Sequence, residues 1–285
     1  MSARSDHSTA KRPHVASALT TSALTTVALL AGGFAPAAGQ DAAYDFSAPA
    51  ARFELPGDLD EISGLTVLDA AHVAAVQDEE GELYVLSLAT GEVTRRTPFG
   101  KTGDYEGVEL LGDRLFVMTS DATVTELLDW RTGDIATRVY DLGLGAKRCN
   151  AEGLGADGER LLLACKNADD TERNRVYAVE LAAAGEPHAE VLVKLHAEDV
   201  PRGEKFLRPS AIAVHPVTGE TVVLSSRRET LVRLDACGRV VGTWDFDAAD
   251  LEQPEGLAFL PNGDVLIASE GDEDAAVLVR YAYRG

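Results

Sequence analysis

Short apolar segments separated by tight polar turns occupy the chain from residue 51 to its end. The clearest unit is 253–271, in which two apolar or β-branched runs flank the turn 261–264 with its Asn-Gly pair. An Asn-Gly pair between two such runs is typical of a β-hairpin. One acid stands at each open end of this hairpin, Glu255 before it and Glu270 after it. Both acids are therefore expected at the end away from the turn.

The same pattern occurs five times. The aligned first positions of the repeats are Glu61, Glu106, Glu152, Ser210 and Glu255, with spacings of 45, 46, 58 and 45 residues. A repeat of this length that contains only short strands predicts a β-propeller, whose blades each take about 40–45 residues in four strands. The sequence therefore predicts an all-β fold with five blades.

The two ends of the chain predict how the ring closes. A strand-like segment at 51–55 precedes the first complete blade, and the last blade ends with its third strand near 278–283. The N-terminal strand can supply the missing fourth strand and so hide the sheet edges. We expect a flexible leader at 38–50 and a propeller domain at 51–285, closed by its N-terminal strand.

The first 37 residues have a different pattern. Arg4, Lys11 and Arg12 precede a largely apolar run at 15–34, and a small-residue motif at 35–37 follows. This order is typical of a secretory signal peptide, here cut near residue 37. The alternative is an uncleaved membrane anchor, because a run of about 20 apolar residues can nearly span a bilayer. We expect a periplasmic or secreted protein at the cell envelope, with no membrane span after cleavage.

Charge narrows the range of partners. The chain has 47 acidic and 26 basic residues, with a formal net charge of -21. Nucleic acids and anionic membrane surfaces are bound through clustered Lys and Arg, so this composition argues against both. It fits a soluble exported protein, or one that binds cations.

The aligned acids are candidate metal ligands. The first strand of each propeller blade lines the central channel, so Glu61, Glu106, Glu152 and Glu255 are expected to converge at its mouth. Carboxylates held close together must share protons or hold a cation, and an oxygen-only set without His or Cys favours Ca²⁺. The alternative is that these glutamates bond the neighbouring blade and fix its register. Ser210, at the equivalent position of the fourth blade, would add a neutral oxygen.

The ends of the second strands supply candidate ligand-binding residues on the same face. These are Asp78, Asp121, Lys166, Arg227 and Glu270. Lys166 and Arg227 could hold a small anionic ligand beside a metal, or could simply neutralise the acids. Two polar segments, the loop 167–174 and the insertion 196–207, are expected to project on this face.

Three cysteines remain to be placed. If Asp157 and Gly158 form the turn of their hairpin, Cys149 and Cys165 lie nearly opposite each other on paired strands. A disulfide between them is then feasible in an oxidising compartment. Cys237 would be left unpaired, and no nearby His could activate it as a catalytic thiol.

The segments EISGL, DYEGVE, NAEGL with LLLACK, and QPEGLAF with GDVLIASEG resemble the SdiA-regulated family of exported bacterial proteins, typified by YjiK. The likeness covers about residues 50–285. This family is similar to NHL-repeat propellers and to the phytase-like esterases. The resemblance implies five blades and a calcium site, which would fall on the four aligned glutamates. Ser210 departs from the Glu-Gly pattern of the other repeats.

Two functions follow from these expectations. The first is a calcium-binding propeller that serves as a binding or interaction module, with an envelope protein or a small anion as its partner. The alternative is a metal-dependent esterase, lactonase or phosphoesterase that acts at the channel mouth, with the metal activating a water molecule. No channel-facing histidine supports the second hypothesis, and His196 in the insertion is only a weak candidate base.

Overall fold

The computed structural model describes residues 43–166, 174–181, 186–196, 199–200, 207–246, 251–271 and 274–285. It contains five four-stranded antiparallel sheets. Their innermost strands contact one another in sequence, and the fifth contacts the first, so the sheets form the closed ring of a five-bladed β-propeller. The fold predicted from the repeats is confirmed.

The strands are short and fall in the predicted order. Blade one consists of β2 (Ile62–Val67), β3 (His72–Gln77), β4 (Glu82–Ser87) and β5 (Val93–Pro98). Blade two consists of β6 (Tyr105–Leu111), β7 (Arg114–Thr119), β8 (Thr123–Leu128) and β9 (Ala136–Asp141). Blade three consists of β10 (Asn150–Asp157), β11 (Arg160–Lys166), β12 (Asn174–Glu180) and β13 (His188–Leu195). Blade four consists of β14 (Pro209–Val214), β15 (Thr221–Ser225), β16 (Thr230–Leu234) and β17 (Val240–Asp245).

Blade five is completed from both ends of the chain. It contains β18 (Gln253–Phe259), β19 (Val265–Glu270) and β20 (Val277–Tyr281), and its outer strand is β1 (Ala51–Glu54). Strand β1 runs antiparallel to β20, with Ala51 opposite Arg280 and Glu54 opposite Val277. The predicted closure by an N-terminal strand is therefore confirmed.

Apolar side chains fill the layers between blades. Between blades three and four, for example, Leu162 and Val176 pack with Ile212, Val223 and Val232, each at most 1% exposed. Burying one such side chain contributes about 1.5–3 kcal/mol. The blades cannot bury these faces singly, which explains why the repeats fold as one ring.

A glycine near the start of the innermost strand has a packing role in several blades. A Cβ atom on Gly64 would lie 2.8 Å from the Cα atom of Gly107, and one on Gly153 would lie 2.7 Å from the Cα atom of Ala211. Innermost strands of neighbouring blades approach too closely there for a larger residue. The glycine in the repeat therefore reflects the tight ring around the axis.

The segment that precedes β1 packs on the propeller. The segment 43–50, which the sequence analysis placed in a flexible leader, lies against the propeller, and its Tyr44 is only 2% exposed.

Cys149 and Cys165 form a disulfide in blade three with Cα atoms 4.9 Å apart, and Cys237 is a free, exposed thiol. Within the described ranges, no helix has the length and apolar character needed to cross a membrane. The proposed signal peptide, the loop 167–173 and most of the insertion 196–207 lie outside the described residues.

Candidate cation site at the channel mouth

Each innermost strand has a bulge near its start, and these bulges position the site. The register of the first strand on the second skips one residue in every blade. The skipped residues are Ser63, Glu106, Glu152, Ser210 and Glu255. A bulge re-aims the side chain of its extra residue. Three glutamates and two serines thus occupy one structurally equivalent ring.

The two serines fix neighbouring blades to each other. The Ser63 hydroxyl donates to the carbonyl oxygen of Tyr105 at 2.6 Å, and the Ser210 hydroxyl donates to the carbonyl oxygen of Pro254 at 2.8 Å. Both side chains are buried, with exposures of 3% and 1%. The blade-register role that the sequence analysis considered for the glutamates is thus carried out by the serines.

The three glutamates at the bulges are near one another in a region of low exposure. Burial raises the pKa of Glu106 to about 9, and repulsion from Glu152, Asp104 and Glu255 adds to the effect. Burial likewise raises the pKa of Glu255 to about 8, with further contributions from Glu270 and Glu152. These carboxyls are therefore more stable when protonated or bound to a cation than when all of them are ionised.

Carboxyls from blades one and five extend this group. Burial raises the pKa of Asp78 to about 6, helped by a hydrogen bond with the Glu61 carboxyl and by its charge. Burial also raises the pKa of Glu270 to about 7, with added repulsion from Asp78 and Glu61. We call the whole set the acid rim. It comprises Glu61, Asp78, Asp104, Glu106, Glu152, Glu255 and Glu270.

One side of the acid rim contains its own cation. The Lys166 ammonium lies 2.5 Å from Oε2 of Glu152, while the Asn150 amide donates to the other carboxylate oxygen. Arg208 also lowers the pKa of Glu152, although burial keeps it above its ordinary value. Lys166 and Arg208 thus offset part of the cost of burying the Glu152 charge. The rim acids of blades one and five, which are Glu61, Asp78, Glu255 and Glu270, form no comparable ion pair among the described residues.

Several residues differ from their expected places. Glu61 is exposed and stands two residues before the bulge, so Ser63 is the true equivalent of the other aligned residues. Asp121 accepts hydrogen bonds from the Thr119 hydroxyl at 2.7 Å and the Thr123 amide at 3.0 Å, within its own turn. Arg227 is exposed on a short 3₁₀ turn. The structure therefore gathers Asp78, Lys166 and Glu270 with the glutamates, and assigns Asp121 to turn formation.

Asp104 and Arg208 also belong to this region, although the repeat pattern did not predict them. Both lie just before an innermost strand, two residues ahead of the bulge position, and this shared offset is the signal that could have found them. Glu61 has the same offset in blade one. Charged residues thus stand at this offset in blades one, two and four, and the amides Asn150 and Gln253 stand there in blades three and five.

The donor chemistry of the acid rim fits a hard cation such as Ca²⁺. All its candidate ligands are carboxylate oxygens. The Oδ1 atom of Asp78 is buried and has no hydrogen-bond partner in the part of the chain that the structure describes. In the same part, no three acid, His or Cys side chains are already close enough to enclose an ion. Metal binding would therefore require the carboxylates to draw together.

Sequence comparison identifies the family. The SdiA-regulated family model matches residues 42–273, so the chain belongs to this family. Among curated protein sequences, no significant match to the chain was found.

Solved structures share the fold at low identity. The glutaminyl cyclase of Myxococcus xanthus is 15% identical, with a TM-score of 0.58 and coverage of 84% of this chain and 97% of that one. The PQQ-bound aldose sugar dehydrogenase of Streptomyces coelicolor is 15% identical, with a TM-score of 0.50 and coverage of 82% and 99%. A Bacteroides thetaiotaomicron protein of unknown function is 12% identical, with a TM-score of 0.52 and coverage of 77% and 54%. At these identities the likeness establishes the propeller fold alone.

Proposed function

We propose that the protein is an exported calcium-binding propeller that serves as a binding or interaction module at the cell envelope. The observation that carries this proposal is the acid rim, in which four carboxyls from blades one, two and five have pKa values raised to between about 6 and 9. A cation that replaces their protons relieves both the repulsion and the cost of burial. The buried Oδ1 atom of Asp78, which has no hydrogen-bond partner among the described residues, supports the same conclusion.

The cation is best placed on the side of blades one and five. Lys166 already compensates Glu152 at 2.5 Å, so a second cation is repelled there. Asp78 and Glu270 raise the pKa of Glu255, and Asp78 raises that of Glu270; the Lys166 charge lowers both, but neither glutamate forms an ion pair among the described residues. We assign these three carboxyls as the principal ligands, with Glu61 and Glu106 at the edge of the site. Oxygen ligands in a set that must rearrange suit Ca²⁺ better than the more rigid Mg²⁺.

The envelope location rests on the N-terminal pattern. A basic start, an apolar run at 15–34 and a small-residue motif at 35–37 are the elements of an export signal. The disulfide between Cys149 and Cys165 is suited to an oxidising compartment. Extracellular and periplasmic spaces also supply calcium at concentrations that weak sites can use.

Thermal unfolding with and without calcium tests this proposal. At pH 8, millimolar Ca²⁺ should raise the melting temperature of the wild type above its value in EDTA, because only the folded state holds the ion. The gain corresponds to about 2.7 kcal/mol at a hundredfold excess over the dissociation constant. Glu255→Gln and Asp78→Asn should abolish the shift, and calorimetric titration should show the same loss of binding.

The melting temperature in EDTA shows whether the substituted proteins are folded. Because the Glu255 carboxyl has a raised pKa, its charge destabilises the metal-free protein at pH 8. Glu255→Gln should therefore melt in EDTA at a temperature no lower than the wild type. Glu159→Gln, an exposed acid in the turn at the opposite end of blade three, is the matched control and should keep the full calcium shift. A shift that survives in Glu255→Gln and Asp78→Asn, or that is absent from the wild type, would falsify the calcium proposal.

A hydrolase is the second candidate. The feature in its favour is the presence of Lys166 and Arg208 beside the acid rim, where they could hold an anionic substrate group near a metal-bound water. Chromogenic esters, lactones and phosphoesters should then be hydrolysed only with Ca²⁺ present, and Arg208→Gln should lower that activity without abolishing the calcium shift. Calcium binding without any such turnover supports the binding module.

A further inference from the structure

A buried histidine joins three parts of the molecule on the face opposite the acid rim. His215 is 0% exposed and follows β14 in blade four. Its ring lies 4.7 Å from the Tyr283 ring and 4.8 Å from the Phe259 ring, both associated with blade five. Its Nε2 atom is 2.8 Å from the hydroxyl oxygen of Tyr44, in the N-terminal segment 43–50. We call this segment the strap.

The hydrogen bonds around His215 define one protonation state. The Tyr44 hydroxyl donates to the carbonyl oxygen of Gly263 at 2.6 Å, so its oxygen must accept the hydrogen on Nε2 of His215. The Nδ1 atom accepts from the backbone amides of Val217 and Thr218, each at 3.2 Å. Both ring nitrogens are therefore fully used by a neutral imidazole with its hydrogen on Nε2.

Protonation would break this arrangement. An imidazolium has a hydrogen on both nitrogens, so Nδ1–H would face two N–H donors inside a site that excludes water. The charge would also be placed among groups of both signs. These groups are Glu220, Arg233, Tyr44, Tyr283 and, through Tyr44, Asp264.

Glu220 cannot compensate a charge on the His215 ring, because it is already paired with Arg233. The Arg233 guanidinium bonds both oxygens of Glu220 at 2.7 and 2.9 Å and lies 4.5 Å from the ring centre of Trp244. Glu220, the acid whose charge acts on His215, is therefore already paired. Burial is the main cause that lowers the pKa of His215, with Arg233 acting in the same direction and Glu220 against it.

We propose that His215 is an acid-sensitive latch. Its neutral form holds Tyr44, and with it the strap, against blades four and five, and its protonation releases the strap. The strap leads directly into β1, the strand that closes the ring, and its Ala50 amide donates to the Arg280 carbonyl at 2.8 Å. Phe46 of the strap also lines a cavity of about 520 Å³ together with Trp244 and Tyr283. Acid therefore opens this cavity and loosens the closing strand.

The sign of the effect follows from linkage. The released and unfolded states bind the proton more readily than the docked state, so docking is stable above the ordinary pKa of histidine, about 6.5, and weakens as the pH falls below it. The contact between Asp45 and Arg284, 3.2 Å apart, remains ionised across this range and does not produce the transition. The latch is independent of the calcium proposal, since it lies at the other end of the blades.

Trp244 fluorescence provides the direct test, because its ring lies 4.9 Å from the Tyr44 ring. In full-length protein carrying Trp130→Phe, Trp244 is the only tryptophan. Between pH 7.5 and pH 4, its emission should show one reversible transition while the far-ultraviolet circular dichroism stays constant. His215→Gln should lack the transition. His188→Gln, which changes an exposed histidine at the start of β13, should keep it.

A second variant keeps the test decisive if His215→Gln does not fold. Tyr44→Phe removes the hydrogen bonds that Tyr44 makes with His215 and Gly263, so the strap is docked more weakly and should be released at a higher pH, with the midpoint moved up by about half to one pH unit. Nuclear magnetic resonance of the ring should show the Nε2–H tautomer above the midpoint. The latch is excluded if the wild type shows no transition, if the circular dichroism is lost with it, if His215→Gln keeps it, or if Tyr44→Phe leaves the midpoint unchanged.

Discussion

At the scale of single residues, Glu109 is the acid whose environment is simplest to interpret. It lies on β6, three residues beyond the bulge glutamate of blade two. Its Oε1 atom accepts from the Thr66 hydroxyl at 3.0 Å and from the Leu110 amide at 2.9 Å. Burial raises its pKa to about 8 even though both hydrogen bonds lower it. The protonated side chain is therefore the stable form near neutral pH.

This residue gives a pH prediction that does not depend on metal. A carboxyl with a raised folded pKa contributes stability at low pH and loses it as the pH rises through that pKa. In EDTA, the free energy of unfolding should fall between pH 6 and pH 8, with Glu109 contributing on the order of 2 kcal/mol. Glu109→Gln mimics the protonated acid, so its urea unfolding should show a shallower loss. An equal slope in the variant and the wild type would place the titration elsewhere.

At the scale of elements, the bulge of each innermost strand separates the roles of serine and glutamate. An alignment of the repeats on their acids selects Glu61, whereas the ring position belongs to Ser63. Gly64 would have been the better anchor, since packing against Gly107 requires a glycine there, while no such contact fixes the acid. The local sequence pattern predicts which strands pair, but it does not predict at which residue the bulge falls. The sequence therefore predicts which strands carry the site better than which side chains point into it.

Substitution of the two bulge serines tests whether serine and glutamate have separate roles at the bulges. Ser63→Ala and Ser210→Ala each remove a buried donor and leave a neighbouring carbonyl without its partner, which should lower the free energy of unfolding by about 1–3 kcal/mol. Both variants should keep the full calcium shift in melting temperature. Ser47→Ala, which removes an exposed hydroxyl bonded to Asp45 in its own turn, is the control and should cost much less. Loss of the calcium shift in Ser210→Ala would make this serine a ligand instead of a contact between blades.

At the scale of the whole molecule, the repeats and the orphan strand at 51–55 were sufficient to predict five blades and their closure. The acid rim was predictable only in part. Its members come from blades one, two, three and five, and their interactions depend on distances across the channel that no spacing in sequence contains. The strap was also missed, because Tyr44 and Phe46 stand alone in a polar segment without periodicity. The sequence repeats predict the closed ring, but they do not predict the contacts between distant blades.

Ring closure by β1 leads to the final prediction. A chain that begins at residue 56 loses β1, so β20 becomes an edge strand with unpaired backbone groups that can pair with other molecules. It should melt far below the wild type and form oligomers, seen by light scattering after size-exclusion chromatography. A chain that begins at residue 51 lacks the strap but keeps β1, and should keep the oligomeric state of the wild type with a smaller loss of stability. If both truncated chains melt at the same temperature and keep that oligomeric state, the fifth blade is stable with three strands and the ring does not depend on its N-terminal strand.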